Sequence, residues 1–353
     1  MPPVDVRGPE PGREHGGPRR RPPRGHDGVP RLIPPLRAPA EPPGRPGPPV
    51  RCVFVRNPAS RGAMPAARIP QVLRVAEDAR WHVEAVETAA PGHATELARA
   101  AAAAAADVLL VNGGDGTINE AVNGLAGTAT ALAVLPGGTA NVWAKEARIP
   151  RDPVKAMRAA VGGERRRIDL GRANGRCFLL MCGVGLDGEV VQRVNPRLKR
   201  RLGALAYLVA GLLPALRTPA WDVRLRLDGE TVETPLYWMV IGNTRSYGGF
   251  RDVTLRALAD DGMLDVALMR RGGLLHLVAD GARLLVRRHD RSPNVRYLRA
   301  RRIELETAFI AMQVDGEPFG DSPLIAEALP GALNVLVPRG LRSPLFGSPP
   351  GDG

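Results

Sequence analysis

The sequence predicts a parallel α/β domain followed by a mainly β domain. Between residues 51 and 135, short apolar runs alternate with helical stretches, which is the pattern of a parallel sheet covered by helices. After Pro150, short apolar runs divided by Gly, Asn or Asp replace this alternation, as in antiparallel sheets. A chain of 353 residues is long enough for two such domains, each with its own core.

The first half contains four apolar runs, at residues 52–55, 81–87, 107–111 and 131–135. Helical stretches separate them and extend to about residue 79, from 92 to 106, and from 118 to 125. The stretch at 92–106 is rich in alanine, the residue with the highest helix propensity. Because each strand is followed by a helix, we expect the strands to lie parallel in one sheet.

The second half carries short apolar runs that predict antiparallel strands, at residues 167–171, 177–182, 223–227, 237–242, 263–269 and 302–307. Two helical inserts interrupt them, at 196–216 and 273–288. The most apolar stretch, at 202–216, contains a proline and is shorter than the roughly 20 residues that cross a bilayer. We therefore expect no transmembrane helix.

Composition and charge limit the classes of protein that fit this sequence. The formal net charge of +13 favours an anionic partner such as a nucleotide, a nucleic acid or an acidic lipid surface. Nearly all of the positive charge is arginine, so the bias of a GC-rich genome explains it equally well. The three cysteines, Cys52, Cys177 and Cys182, have no paired spacing, and the start of the chain resembles no secretory signal. These features indicate a cytoplasmic protein.

The strongest local motif is Gly113-Gly114-Asp115-Gly116-Thr117, between an apolar strand and a helix. The glycines allow backbone N–H groups to approach phosphate oxygens, and the N-terminus of the helix adds positive potential. A carboxylate facing phosphates is repelled unless a divalent cation lies between them, so Asp115 indicates a metal-bound nucleotide. An ordinary glycine-rich turn capped by Asp is the alternative reading of this motif taken alone.

Two further segments extend this predicted phosphate site. Residues 135–141, Leu-Pro-Gly-Gly-Thr-Ala-Asn, form a second glycine turn after an apolar run, and residues 57–62 follow the first strand. In a parallel sheet the loops at the carboxyl ends of neighbouring strands open on one crevice. We therefore expect the three loops to share a ligand. A last motif, Asp315-Gly316-Glu317, is either a plain hairpin turn or a carboxylate pair that reaches the crevice.

Six blocks in this order resemble the lipid kinases of the diacylglycerol kinase catalytic-domain family, which includes sphingosine and ceramide kinases. The blocks are Asn57-Pro58-x-Ser60, Gly113-Gly114-Asp115-Gly116-Thr117, Pro136-x-Gly138-Thr139-x-Asn141, Gly183-x-Gly185-x-Asp187, Asp261-Gly262-x-Leu264-Asp265 and Asp315-Gly316-Glu317. The match runs from about residue 51 to 337. Several blocks in the right order are far more specific than any one of them.

The resemblance implies a Rossmann-like parallel α/β domain, similar to those of NAD kinases and phosphofructokinases, followed by a β-sandwich domain, with the active site between them. We place the nucleotide-binding domain at 50–147, completed by a returning segment at about 320–338. The β-sandwich lipid-substrate domain is placed at 148–319. Disordered tails are expected at 1–49, which is rich in Pro, Gly and Arg, and at 339–353.

The resemblance also assigns roles to individual residues. It implies that ATP is held by Asn57, Ser60, Gly113, Gly114, Asp115, Gly116, Thr117, Gly138 and Thr139. The catalytic set is Asp115, Asp315 as the general base, and Glu317 as its companion near Mg²⁺. Asp261 and Asp265 resemble the family's structural metal loop. Asn141, Asn243 and Gly248 are predicted to face the acceptor lipid.

The predicted activity is transfer of the γ-phosphate of ATP, with Mg²⁺, to the hydroxyl of a membrane lipid. Diacylglycerol, giving phosphatidic acid, is the favoured acceptor, and a sphingoid base or ceramide is the alternative. Two other hypotheses stay open. One is an NAD kinase, which shares the GGDGT-like loop. The other is a catalytically silent lipid-binding module, suggested by Val142, where many bacterial relatives have an acidic residue, and by Arg61 inserted before Gly62.

The predicted partners follow from the same resemblance and from one helix. The helix at 196–216 begins with basic residues and continues apolar, which suits contact with an anionic membrane surface, although a packed helix with a solvated start fits equally well. We therefore expect a cytoplasmic protein that contacts the inner face of the membrane peripherally. A homodimer is also expected, since many relatives are dimers. The arginine clusters lack interleaved aromatic residues, so no specific nucleic-acid partner is predicted.

Overall fold

The structure is a computed structural model that describes residues 32–33, 49–193, 218–248 and 251–347. The predicted helix at 196–216 lies outside the described residues. So do Gly249 and Phe250, most of the predicted tail at 1–49, and residues 348–353. None of the helices in the described ranges is long and apolar enough to cross a membrane.

The first domain alternates strands and helices, as predicted. Its strands are β1 (Leu32–Ile33), β2 (Val50–Arg56), β3 (Trp81–Glu87), β4 (Val108–Gly113) and β5 (Ala131–Pro136). Its helices are α1 (Ile69–Asp78), which follows a 3₁₀ turn at Ala66–Arg68, α2 (His93–Ala103), α3 (Asp115–Leu125), α4 (Val142–Glu146) and α5 (Pro153–Val161).

The sheet of this domain is parallel at its centre. β3, β2, β4 and β5 are hydrogen-bonded neighbours in that order, and each of these pairs is parallel. Every residue of β4 and β5 is buried, as expected for strands covered by helices on both faces. The carboxyl ends of β2, β4 and β5 therefore lead into loops on one edge of the sheet, which is where ligands bind in open α/β sheets.

The second domain is built from short antiparallel strands. They are β6 (Glu164–Ala173), β7 (Arg176–Phe178), β8 (Met181–Gly185), β9 (Trp221–Leu227), β10 (Glu230–Leu236), β11 (Trp238–Gly242), β12 (Ser246–Tyr247), β13 (Arg251–Asp252), β14 (Leu264–Met269), β15 (Val295–Ala300), β16 (Arg302–Leu305), β17 (Ala311–Val314), β18 (Glu317–Asp321) and β19 (Leu324–Val337). In the described part of this domain there are also two helices, α6 (Leu186–Arg193) and α7 (Leu274–Leu285), and a 3₁₀ turn at His289–Arg291.

Two sheets form the sandwich. One has the strand order β15-β14-β11-β8-β17-β18, and the other runs from β19 through β16 and β9 to β10. Their facing side chains form a second core that includes Leu225, Met239, Val266, Leu305 and Val314. The predicted fold class, a parallel α/β domain with a β-sandwich domain, is confirmed.

β19 joins the two domains. Its 14 residues pair antiparallel with β16 and β6, and Asn334 and Val335 pair parallel with β5. One continuous sheet of 11 strands therefore extends from the first domain into the second. β19 lies within the range of about 320–338 that we predicted as a returning segment.

Two of the predicted boundaries need correction. The chain is structured beyond residue 339, because Leu341 and Leu345 are buried against the first core. Leu32 and Ile33, inside the predicted N-terminal tail, pair antiparallel with β3 at the edge of the sheet.

The same substitution at two helical glycines is expected to have opposite effects on stability. A Cβ atom added to Gly124 in α3 would lie 2.5 Å from the Cβ of Ala98 in α2, whereas one added to Gly281 in α7 meets nothing within 4 Å. Gly124→Ala should lower the free energy of unfolding by about 1–3 kcal/mol through overpacking. Gly281→Ala should raise it by about 0.5–1 kcal/mol through helix propensity.

Urea unfolding of the two variants beside the parent protein measures both changes. Equal effects of the two substitutions would contradict the close packing of α2 against α3.

Candidate active site

Three loops at the carboxyl edge of the parallel sheet touch one another. The N–H of Gly137 donates to the carbonyl of Gly113 at 2.8 Å, and the N–H of Gly62 donates to the carbonyl of Gly137 at 2.9 Å. A Cβ atom added to Gly138 would lie 2.6 Å from the Cα of Gly114. The glycines therefore permit an approach of the two backbones that any other residue would prevent.

The first glycine loop leads directly into the N-terminus of α3. Asn57 donates from Nδ2 to the Oγ1 of Thr117 at 2.8 Å, and the Oγ of Ser60 accepts from the N–H of Gly114 at 3.3 Å. These contacts hold the loop that follows β2 against the loop that follows β4. A helix N-terminus reached through glycines presents backbone N–H groups and positive potential, which together suit an anion such as a phosphate.

Asp115, the first residue of α3, bridges the two glycine loops. Its Oδ1 accepts a hydrogen bond from the N–H of Val142 at 2.7 Å. Burial raises the pKa of Asp115, opposed by backbone hydrogen bonds and by the charge of Lys145. Val142 thus contributes its backbone N–H to this bridge.

The second glycine loop is closed by Asn141. This residue has a left-handed backbone with φ of 48° and is buried, and its side chain exchanges hydrogen bonds with the backbone of Gly138 at 2.8 and 2.6 Å. Asn141 therefore shapes the second glycine loop. Thr139, at the tip of the same loop, is exposed.

Asp315 reaches the same edge of the molecule from the second domain. Its Oδ1 accepts hydrogen bonds from the N–H groups of Leu180 and Met181 at 3.0 and 2.9 Å. Its Oδ2 accepts from the N–H of Leu179 at 2.9 Å and from the Nδ2 of Asn119 at 2.6 Å. These four donors match the roughly four lone-pair positions of a carboxylate. Burial nevertheless raises the pKa of Asp315 to about 6, against the effect of these hydrogen bonds.

Asn119 connects this carboxylate to the phosphate loop. It lies four residues after Asp115 in α3, so the two side chains share one face of the helix. The sequence analysis missed Asn119, although its spacing from Asp115 was the signal that could have found it. Asn119 donates a hydrogen bond to Asp315, and Asp115 is the first residue of α3. Both carboxylates are therefore attached to the N-terminal half of this helix.

Glu317 and Arg176 complete the site. A Cβ atom added to Gly116 would lie 3.0 Å from the Oε1 of Glu317, so this carboxylate borders the first glycine loop. Arg176 lies 3.8 Å from the Oε2 of Glu317 and donates from Nη2 to the Oδ1 of Asn119 at 3.2 Å. Glu317 is 48% exposed, whereas Asp315 is buried. The site therefore presents one accessible carboxylate, one enclosed carboxylate and a guanidinium beside a helix N-terminus.

A half-buried carboxylate that was not predicted from the sequence also joins the two domains. Glu146, at the end of α4, accepts hydrogen bonds from the Oγ1 of Thr244 and the N–H of Ser246, both at 2.9 Å, and from the N–H of Arg245 at 3.2 Å. Burial raises the pKa of Glu146. Its contacts fix the loop between β11 and β12 against the first domain.

Asn243 and Gly248 were predicted to face the acceptor lipid. Asn243 is buried and donates from Nδ2 to the carbonyls of Asp169 and Leu179, both at 2.9 Å, so it supports the segment that holds Asp315. Gly248 is partly exposed at the end of β12 and has φ of 57°. Gly249 and Phe250, which follow it, lie outside the described residues.

Asp187, in the fourth block of the family pattern, is buried beside this segment. Its carboxylate accepts hydrogen bonds from the hydroxyl of Tyr247 and, at 2.7 Å, from the Nε2 of Gln313. Burial raises the pKa of Asp187 to about 6. Asp187 therefore ties α6 to β12 and β17.

Asp261 and Asp265, predicted from the resemblance as ligands of a structural metal, both form ion pairs with Arg299. Across the described residues no three His, Cys, Asp or Glu side chains are grouped so as to hold a metal ion. Two carboxylates that already share a guanidinium do not fit a metal site by themselves. No part of the function is therefore assigned to a metal at this position.

Two family models match the chain and follow one another along it. Residues 51–173 match the diacylglycerol kinase catalytic domain, and residues 181–337 match the YegS C-terminal NAD kinase beta sandwich-like domain. The first match covers the parallel α/β domain together with β6, and the second covers most of the antiparallel strands, from β8 to β19.

Individual relatives cover most of the chain. It is 31% identical over 295 residues to a diacylglycerol kinase of Bacillus subtilis, and the aligned region covers 82% of this chain and 97% of that protein. It is 34% identical over 278 residues to a probable lipid kinase YegS-like of Pseudomonas putida, covering 77% and 90%.

Solved structures show the same fold. A crystal structure of a putative diacylglycerol kinase from Bacillus anthracis superposes with a TM-score of 0.70 at 24% identity, covering 82% of this chain and 96% of that one. The resemblance drawn from the six sequence blocks is thus confirmed by two family models, by relatives of full length and by shared architecture. The chain belongs to the diacylglycerol kinase catalytic-domain family.

Proposed function

We propose that this protein is an ATP-dependent lipid kinase that phosphorylates diacylglycerol to phosphatidic acid. The observation that carries the proposal is the meeting of the glycine loops and the Asp315–Glu317 turn at the N-terminus of α3. Phosphoryl transfer depends mainly on positioning and on stabilisation of charge. A helix N-terminus, a guanidinium and two carboxylates around one edge supply the groups that this chemistry needs. The names of the relatives support the lipid as acceptor.

In this proposal the triphosphate of ATP lies against the backbone N–H groups at the start of α3. Asn57, Ser60 and Thr139 line the approach from the neighbouring loops. Asp115 and Glu317 are the oxygen ligands available to Mg²⁺, which holds relatively few protein ligands and is shared with phosphate oxygens. The cation, when bound, would neutralise charge on the phosphates. Arg176, beside Glu317, is placed to add a second positive charge.

Asp315 is proposed as the acceptor of the proton from the lipid hydroxyl. Three of its four hydrogen-bond donors are backbone groups, and the fourth is the rotatable side chain of Asn119. The lipid hydroxyl would replace the Asn119 amide on Oδ2. As its oxygen bonds to the γ-phosphorus and the bond to ADP breaks, the proton passes to Asp315. A pKa of about 6 suits this exchange near neutral pH.

The direct test is an assay with radiolabelled ATP and purified lipids. Label in the phosphatidic acid fraction supports the proposal. Label in a phosphorylated sphingoid base or ceramide would mean that this lipid, rather than diacylglycerol, is the acceptor. Label on NAD, or on no product in the presence of Mg²⁺, would overturn the lipid kinase.

Glu317→Gln is expected to lower kcat by on the order of 10²-fold while leaving the fold intact, because it removes one charge of an exposed side chain beside the phosphate site. Asp315→Asn is a poorer test, since it would turn an amide N–H toward backbone N–H donors. Glu233→Gln, at an exposed glutamate of β10, is the matched control and should keep full activity. Unchanged turnover in Glu317→Gln would remove this residue from the site.

Activity is expected to fall as the pH drops through about 6. Burial raises the pKa of Asp315 to about 6, so its carboxylate accepts a proton readily at pH 7 and is already protonated at pH 5. Below the midpoint kcat should fall about tenfold per pH unit. The residual activity of Glu317→Gln should show the same midpoint.

This loss of activity at low pH should not arise from unfolding driven by the titration of Asp315. Because the pKa of Asp315 is raised by folding, its contribution to stability is present below its ordinary pKa and is lost as the pH rises through about 6. Thermal unfolding at each pH separates the two effects. A turnover that stays constant from pH 5 to pH 7 would exclude Asp315 as the proton acceptor.

A further inference from the structure

Helix α7 presents a continuous apolar stripe to solvent. Leu274, Leu275 and Val278 are 64%, 84% and 64% exposed, and Leu285 and Val286 at the end of the helix are 62% and 63% exposed. At 3.6 residues per turn these five side chains fall within an arc of about 120° on one side of the helix. We call them the α7 face. Among the described residues they are most of the large exposed hydrophobic side chains.

The opposite side of α7 is fixed to the protein. Asp280 is buried, and its carboxylate accepts hydrogen bonds from the Oγ of Ser292 at 2.6 Å and from the Nδ2 of Asn294 at 2.7 Å. Leu277 packs against Leu186 of α6 and Tyr237. Because these contacts set the rotation of the helix, the α7 face cannot turn inward without breaking buried hydrogen bonds.

Positive charge borders the α7 face. Residues 270–291 contain six arginines and two aspartates, and one of the aspartates is the buried Asp280. Arg271, before the helix, and Arg287 and Arg288, after it, are exposed. Amphipathic helices that lie in the interface of a membrane have this arrangement, with apolar side chains toward acyl chains and basic residues at anionic headgroups.

We infer that the α7 face docks this protein on the surface of an anionic lipid bilayer. The inference rests on the proposed function in one respect, since an enzyme acting on a bilayer lipid must reach that surface. The charge pattern favours a bilayer over a second copy of the chain. A symmetric contact through this face would bring the bordering arginines of two copies together, whereas anionic headgroups neutralise them.

The position of the α7 face relative to the candidate site agrees with this inference. α7 packs on α6, and α6 packs on β17, which ends one residue before Asp315. An ion pair between Arg287 and Asp252 also fastens the end of α7 to β13. Docking through the α7 face would hold the acceptor side of the cleft close to the headgroups.

Co-sedimentation with vesicles tests the inference without ATP and without substrate lipid, so that its result is independent of the proposed activity. The full chain should bind vesicles of phosphatidylcholine with phosphatidylglycerol more tightly than vesicles of phosphatidylcholine alone. The double variant Leu275→Ser, Val278→Ser should lower the vesicle partition coefficient by about tenfold or more, because it removes apolar area from the interface. Phe309→Ser, at a side chain that is 87% exposed outside α7, is the matched control and should change binding less than about twofold.

Two further measurements separate a loss of membrane binding from a loss of folding or of catalysis. The double variant should unfold at nearly the temperature of the parent protein, and it should phosphorylate detergent-dispersed short-chain diacylglycerol with unchanged kcat if the proposed function holds. Vesicle binding that is equal in the double variant and the parent protein overturns the inference. A dimer that the double variant dissociates, with vesicle binding unchanged, would assign the α7 face to a second copy instead.

Discussion

The buried carboxylate of Asp315 is the constraint on which the candidate site depends. A carboxylate removed from water costs several kcal/mol unless hydrogen-bond donors surround it. Here three backbone N–H groups of the segment at 179–181 and the amide of Asn119 provide those donors. Asn119 belongs to the first domain and Asp315 to the second. The requirement to satisfy one charge therefore fixes the two domains against each other at the end of α3.

From this junction the rest of the geometry follows. With Asp315 held against α3, the next turn of chain brings Glu317 to Gly116 in the first glycine loop. The close approach of Gly138 to Gly114 sets the second loop beside it, and Glu146 secures the far side of the same domain interface. A phosphate donor bound by the loops and an acceptor bound by the sandwich would thus meet at a single edge, although the residues involved are far apart in the chain.

Local sequence patterns predicted the fold well. Hydrogen bonds and ion pairs between residues far apart in the chain explain the features that these patterns did not predict. β3 was predicted to the residue, and the glycine loops were recognised because a glycine turn between strand and helix is a local signal. The predicted strand at 177–182 is two strands, because Leu179 and Leu180 turn their N–H groups toward Asp315, about 135 residues away. The hydrogen bonds of Asn141 and Asn243 to backbone groups were not predicted, because sequence does not reveal whether an amide side chain bonds to a ligand or to the backbone of the protein. The ion pairs of Arg299 with Asp261 and Asp265 could likewise not be predicted from the spacing of the acidic residues.

The central claim is that the glycine loops and the turn bearing Asp315 and Glu317 form one phosphoryl-transfer site. A crystal structure of the protein with Mg²⁺ and a non-hydrolysable ATP analogue tests it most directly. The account predicts that the terminal phosphates contact the backbone N–H groups at the start of α3 and that Glu317 faces the cation beside them. A triphosphate bound away from α3, with Glu317 turned to solvent, would contradict the account.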